Sequence, residues 1–151
     1  MSVSLYGNGQ TVIQVVNATY STSTTTTSTS YVTTGLTAAI TPQNTNSKIL
    51  VSIIANGVRT NNTTYNVYLG VFRNSSQQGG DFTWFGGSSN GPTDGRVGSQ
   101  CFQLLDSPAT TSSTTYSLYF KSESGSSTSY ICNQNTQIVP SYITLMEISG
   151  S

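Results

Sequence analysis

The chain alternates. In "SKILVSIIANGV" (Ser47 to Val58) Ile49, Val51, Ile53 and Ala55 fall on every second residue, and in "TTYSLYFKS" Tyr116, Leu118 and Phe120 do the same. A period of two puts such side chains on one face of an extended strand and their neighbours on the other. Nowhere do apolar residues recur at i, i+3, i+4 and i+7 among good helix formers, as a helix face requires. A chain written this way is confined to strands with one buried face, stacked so that the buried faces meet.

The remaining segments fit that reading. "TVIQVVNATY" (Thr11 to Tyr20) opens the pattern, and "TTYNVYLGVFR" (Thr63 to Arg73) aligns Tyr65, Val67, Leu69 and Val71. Gly57 and "RTNN" supply turn chemistry, so the segments before and after them read as a hairpin. "SQCFQLLD" is strand-like, and "SESGSS" reads as the turn that joins "TTYSLYFKS" to "TSYICN". In "SYITLMEIS" both faces are largely apolar, the mark of a central strand or of one covered by a neighbouring subunit. Short strands between Gly, Asn and Ser turns predict an antiparallel β-sandwich or jelly roll. Its domain spans residues 11–151, after an N-terminal arm over residues 1–10. The Ser- and Thr-rich stretch from Tyr20 to Pro42 belongs to that domain, since a strand with a solvated outer face can be nearly all Ser and Thr. Only its central threonines, Thr24 to Thr29, are expected to be loose.

Charge narrows the function. Five basic and five acidic residues make 7% of the chain and cancel, against about 25% charged residues in an ordinary soluble domain. Nucleic acid and anionic membranes both need a basic patch, and five scattered cations do not make one. Near-zero net charge permits association, and nine tyrosines suit interfaces that are neither oily nor fully wet. A homo-oligomer is expected. No apolar run reaches the ~20 residues of a membrane helix, and "MSVSLYGNGQ" lacks the regions of a signal peptide, so folding in a cytosol is expected.

Catalysis has little to draw on. The chain has no histidine, which excludes every His-dependent triad and zinc site. The carboxylates are Asp81, Asp94, Asp106, Glu123 and Glu147. None sits in a GxSxG, P-loop or dinucleotide motif. An autocatalytic crosslink of Lys48 or Lys121 with Glu147 as buried acid is conceivable but has no specific support. The expectation is a non-enzymatic protein without cofactor or metal.

Three groups of residues are candidates for contact. "NSSQQGGDFTWFGGSSNGPTDGRVG" (Asn74 to Gly98) reads as a long Gly-rich loop, and long loops in compact domains are often functional. Its Phe82, Trp84 and Phe85 form either a stacking platform for a sugar or partner, or a plug for one end of the sandwich. Cys101 and Cys132 each lie in a strand-like stretch. They are either buried free thiols, as cytosolic synthesis favours, or a disulfide across neighbouring strands. The arm, with Ser2, Val3, Leu5 and Tyr6, either orders against a partner or frays.

The succession "TSYVTTGLTAAITPQNTNSKILV", "QLLDSPATTSSTTYSLYF" and "SYITLMEI" resembles a domain that recurs in bacteriophage virion proteins. It is common among marine and cyanobacterial phages, chiefly toward the C-terminal ends of tail fibres and related appendages. The correspondence runs from Val12 to Ile148, and none of its specific parts is catalytic. The resemblance implies a trimeric β-sandwich with a structural or adhesive role on the virion, assembled in the bacterial host cytoplasm. Fibre proteins carry a long attachment and shaft region, whereas here about ten residues precede the first strand pattern. The sequence is then either a small stand-alone virion protein or a fragment of a longer fibre. The stand-alone case is expected to be a capsid decoration (cement) protein, a head fibre or a knob, with the arm as virion contact. The alternative is a tail-fibre receptor-binding domain that recognises a host surface glycan or protein through the Asn74–Gly98 segment. Expected partners are copies of itself, phage capsid or tail proteins and, in the alternative, a host glycan.

Overall fold

The structure is a computed structural model that describes residues 10–83, 97–134 and 136–149, with Thr83 and Val97 described by their backbone alone. No helix occurs among the described residues. The strands are β1 (Val12–Tyr20), β2 (Thr24–Thr26), β3 (Val32–Ile40), β4 (Lys48–Thr60), β5 (Val67–Arg73) and β6 (Ser76–Thr83). They continue as β7 (Val97–Asp106), β8 (Thr114–Ser122), β9 (Ser129–Ile131), β10 (Asn133–Gln134), β11 (Gln137–Ile138) and β12 (Ser141–Ile148).

Two antiparallel sheets form a β-sandwich. In the first, β1, β12, β4 and β7 lie side by side, with β9 paired to the last two residues of β4 and β2 paired to β9. The second has the order β3-β8-β5-β6. The long strands nest as successive antiparallel pairs, β5 with β6, β4 with β7, β3 with β8 and β1 with β12. These pairs fall alternately in the second and first sheets, and the β12–β4 and β8–β5 ladders join them. One long hairpin wound over itself in this way is the two-Greek-key order of a jelly roll.

The alternation seen in the sequence fills the space between the sheets. Ile49, Val51, Ile53 and Ala55 of β4 meet Ile143 and Leu145 of β12 across one inner face. Leu36, Val67, Leu69, Val71, Tyr116, Leu118 and Phe120 line the other, and all are buried. As expected, β12 is central, flanked by β1 and β4.

Pairing differs from the sequence reading in four places. β4 and β5 are not a hairpin but lie in opposite sheets. Gly57 is a bulge inside the 13-residue β4 rather than a turn. Its φ of +57 is a conformation that favours glycine, and a Cβ there would come within 2.5 Å of the Asn133 nitrogen. Second, β9 pairs with β2 and β4, not with β8. Third, the central threonines are not wholly loose, because Thr24–Thr26 form β2 against Ile131, Tyr130 and Ser129. Fourth, the expected loop from Asn74 begins with a strand. Asn74 and Ser75 both have positive φ and make a two-residue turn of the primed type, which returns the chain as β6.

One polar cluster ties the sheets together. Arg73 Nη1 of β5 donates to Asp106 Oδ2 of β7 at 2.8 Å, and the buried Tyr116 hydroxyl of β8 donates to the same oxygen at 2.6 Å. Burial, and next the Asp106 carboxylate, push the Tyr116 hydroxyl well above the usual tyrosine range.

Candidate functional site

The register of the first sheet arranges its outer side chains in rows that cross four strands. One row is Val15, Met146, Leu50 and Leu105, and the next is Asn17, Thr144, Ser52 and Gln103. The third is Thr19, Tyr142, Ile54 and Cys101. Two largely apolar rows thus bracket a polar one. Val15 and Leu105 are 52% and 51% exposed, and Tyr142 and Ile54 are 42% and 41% exposed. No residue in the three rows is charged, while Lys48 and Arg59 stand toward opposite ends of β4. Within the polar row the Thr144 hydroxyl donates to Asn17 Oδ1 at 2.8 Å, and Gln103 Nε2 to Ser52 Oγ at 3.4 Å. A depression of about 400 Å³ follows β4 and β7 past Ile54 and Cys101. A second, of similar volume, lies at the end of the face beside Asn56, Ser99 and Tyr142. Exposed apolar rows of this kind are a candidate contact surface.

The outer face of the second sheet is different. Tyr31, Phe72 and Tyr119 gather over Gly70. Phe72 stacks on Tyr119 with centroids 4.1 Å apart and meets Tyr31 edge-on at 5.4 Å. A Cβ at Gly70 would lie 3.2 to 3.3 Å from the Phe72 and Tyr31 rings, so the close approach depends on glycine. Lys121 Nζ sits 4.4 Å from the Tyr31 ring centroid and 5.2 Å from that of Tyr68. It also pairs with Asp81 Oδ2 at 3.3 Å. Gln77 Nε2 donates to Asp81 Oδ1 at 2.8 Å. That hydrogen bond, with further help from Tyr31 and Lys121, holds the Asp81 carboxyl below its ordinary range against the opposing effect of burial. Burial, and then Asp81, push Tyr31 well above the usual tyrosine range. Burial, and then the Glu123 and Asp81 charges, raise Tyr68.

The residues singled out from sequence separate. Phe82 of β6 stacks on Phe102 of β7, with centroids 4.2 Å apart, and packs against the core between the two edge strands. That is a packing role. Trp84, Phe85 and the arm residues Ser2, Val3, Leu5 and Tyr6 lie outside the described residues. Cys101 and Cys132 are free thiols, so the disulfide alternative is corrected. Cys101 is exposed on the outer face of β7, while Cys132 is buried in the core. The Cys132 thiol approaches Tyr20 O at 3.3 Å and Ser141 Oγ at 3.2 Å. Burial raises its pKa, the state of an inert thiol. The expectation that both thiols are buried therefore holds for Cys132 and not for Cys101.

Each carboxylate among the described residues holds a structural contact. Asp81 and Asp106 are bound as above, and Glu123 Oε2 accepts from the Asn66 nitrogens at 2.8 and 2.9 Å. Glu147 is buried and accepts from the Gln43 backbone N–H at 2.7 Å. Neither lysine is placed for a crosslink beside Glu147. Lys48 is exposed on the opposite side of the same sheet, and Lys121 belongs to the other sheet. Among the described residues no three His, Cys, Asp or Glu side chains are grouped to hold a metal ion.

Sequence reasoning missed both outer faces. Their members come from strands far apart in the chain, and only the register brings them together. A scan against family models finds no match for this chain, and no curated protein is similar to it.

Proposed function

We propose that this chain is a non-enzymatic structural protein exposed on the surface of a bacteriophage particle. In this reading it is a capsid decoration, cement or head-fibre protein that works as a homo-oligomer. The resemblance that runs from Val12 to Ile148 supplies the phage context, and the jelly-roll sandwich is compatible with it. The observation that carries the reading is the three uncharged rows on the outer face of β1, β12, β4 and β7, with large apolar side chains up to 52% exposed. Such a surface suits lasting contact with protein rather than turnover of a substrate. The commitment of Asp81, Asp106 and Glu123 to structural contacts supports the same conclusion.

The test is reconstitution on particles. Purified chain is mixed with phage capsids that lack it, and the washed particles are imaged with labelled protein. Regular occupancy of the capsid surface is expected. Capsids that take up no label at micromolar chain, together with adsorption to host cells that the free chain blocks, would move the protein to the receptor-binding alternative.

A further inference from the structure

Among the described residues, the apolar rows on the first sheet have no side-chain lid of the kind that covers the second. We propose that this face is the contact between two copies of the chain, packed face to face. The inference rests on the assembly reading above and adds the surface that carries it.

Three features select a second copy as the occupant. The rows hold no charged residue and the chain has zero formal net charge, so identical faces meet without like-charge repulsion. The order of the rows is apolar, polar, apolar. A copy turned by half a revolution about an axis in the plane of contact presents the same three rows, so like meets like. An isologous contact requires such self-match. The polar row is also bonded sideways within itself, from Thr144 to Asn17 and from Gln103 to Ser52. Covering it therefore leaves fewer groups without partners than covering isolated hydroxyls and amides would. In size, four strands spaced ~4.8 Å apart span about 15–20 Å, and the three rows, from Tyr142 to Met146, span about 14 Å along β12 at ~3.4 Å per residue. The rows alone cover well under the ~800 Å² per partner of a standard stable interface, so they form the centre of the contact and neighbouring outer side chains complete it. A face-to-face contact joins copies in pairs, whereas the phage resemblance implies threes, so mass in solution separates the two.

The chain carries its own reporter. Cys101 stands in the third row, and Cys132 is buried in the core as an internal control. The full chain is studied by sedimentation, and its native thiols are titrated with a soluble aromatic disulfide. The expected mass is two chains or an even multiple. Cys101 is expected to react at least tenfold more slowly than in Leu105→Lys. Single-chain mass is expected for both Leu105→Lys and Val15→Lys, which change exposed positions at opposite edges of one row. A thermal melt matching the dilute parent in either variant separates loss of the contact from loss of the fold. A parent of single-chain mass, a trimer, or an oligomer whose Cys101 reacts as fast as in Leu105→Lys overturns the proposal. Capsid binding is read independently. A chain that pairs through this face and leaves capsids bare sinks the functional reading while this one stands.

Discussion

The two outer faces of the sandwich are built on similar backbone and end in opposite states. On the second sheet, Tyr31, Phe72 and Tyr119 cover Gly70 and one another, Lys121 approaches the Tyr31 and Tyr68 rings, and Asp81 holds Lys121 in place. On the first, Val15, Leu105, Ile54 and Tyr142 keep two-fifths to half of their surface open. A large apolar residue on a sheet is thus no sign of function by itself. What matters is whether neighbouring side chains have already covered it. The covered face contributes to the stability of one chain, and the open face is available to stabilise a contact between chains.

The sharpest way to break this contrast is to cut into the covered face. Phe72→Ala removes the ring that touches both Tyr31 and Tyr119 and is expected to cost roughly 2–3 kcal/mol, below the range for a fully buried Phe because the site is half-buried. Gly70→Val forces the Phe72 and Tyr31 rings aside and should cost about 1–3 kcal/mol. The matching change on the open face, Ile54→Ser, is expected to stay within about 0.5 kcal/mol when chains are dilute. Urea denaturation at low micromolar concentration measures all three. Equal losses on the two faces would end the distinction.

A smaller effect tests the lid itself. Lys121→Ala removes a cation over two rings and the ion pair with Asp81, for about 0.5–1 kcal/mol. It also moves the acid limb. The folded-state pKa of Asp81 lies below its unfolded value, so its contribution is present above the unfolded pKa and is lost as pH falls through the folded one. Removing Lys121 should flatten that loss only in part, because the Gln77 hydrogen bond is the larger cause and remains. Added salt should weaken the Lys121–Asp81 pair and leave the proposed association through the uncharged rows unchanged or stronger. Association that dissolves in moderate salt would place charges in the contact and contradict the pairing of uncharged faces.

The strand faces were legible because burial is written locally, as Ile49, Val51, Ile53 and Ala55 show. Pairing was not, because the jelly roll sends neighbouring strands into opposite sheets. β4 and β5, joined by a short polar connection, share no ladder. β6 was hidden because "SSQQGGDF" has little strand propensity, and its pairing depends on the Asn74–Ser75 turn and the β5 ladder. β2 is likewise held by β9, more than a hundred residues away. The candidate faces were the least legible. Val15, Met146, Leu50 and Leu105 become one row only through three separate ladders. Lys121 could not be assigned to aromatic rings before Tyr31 and Tyr68 were brought beside it.

The smallest expected effect comes from the tyrosines under the lid. Tyr31, Tyr68 and the core Tyr116 all hold their protons above the usual tyrosine range, with burial the first cause in each. The folded chain therefore binds protons that the unfolded chain releases. Their contribution is complete below the unfolded value of about 10 and declines as pH rises toward the folded ones. Denaturation midpoints from pH 9 to 11 should fall with pH, and Tyr31→Phe should make the fall shallower. Tyr31→Phe with Tyr68→Phe should flatten it further, leaving the part that Tyr116 contributes from the core. If the double substitution keeps the parent slope, the alkaline loss belongs to the core alone. The second sheet's outer face would then be less covered than its ring contacts imply, and the contrast with the first sheet would narrow.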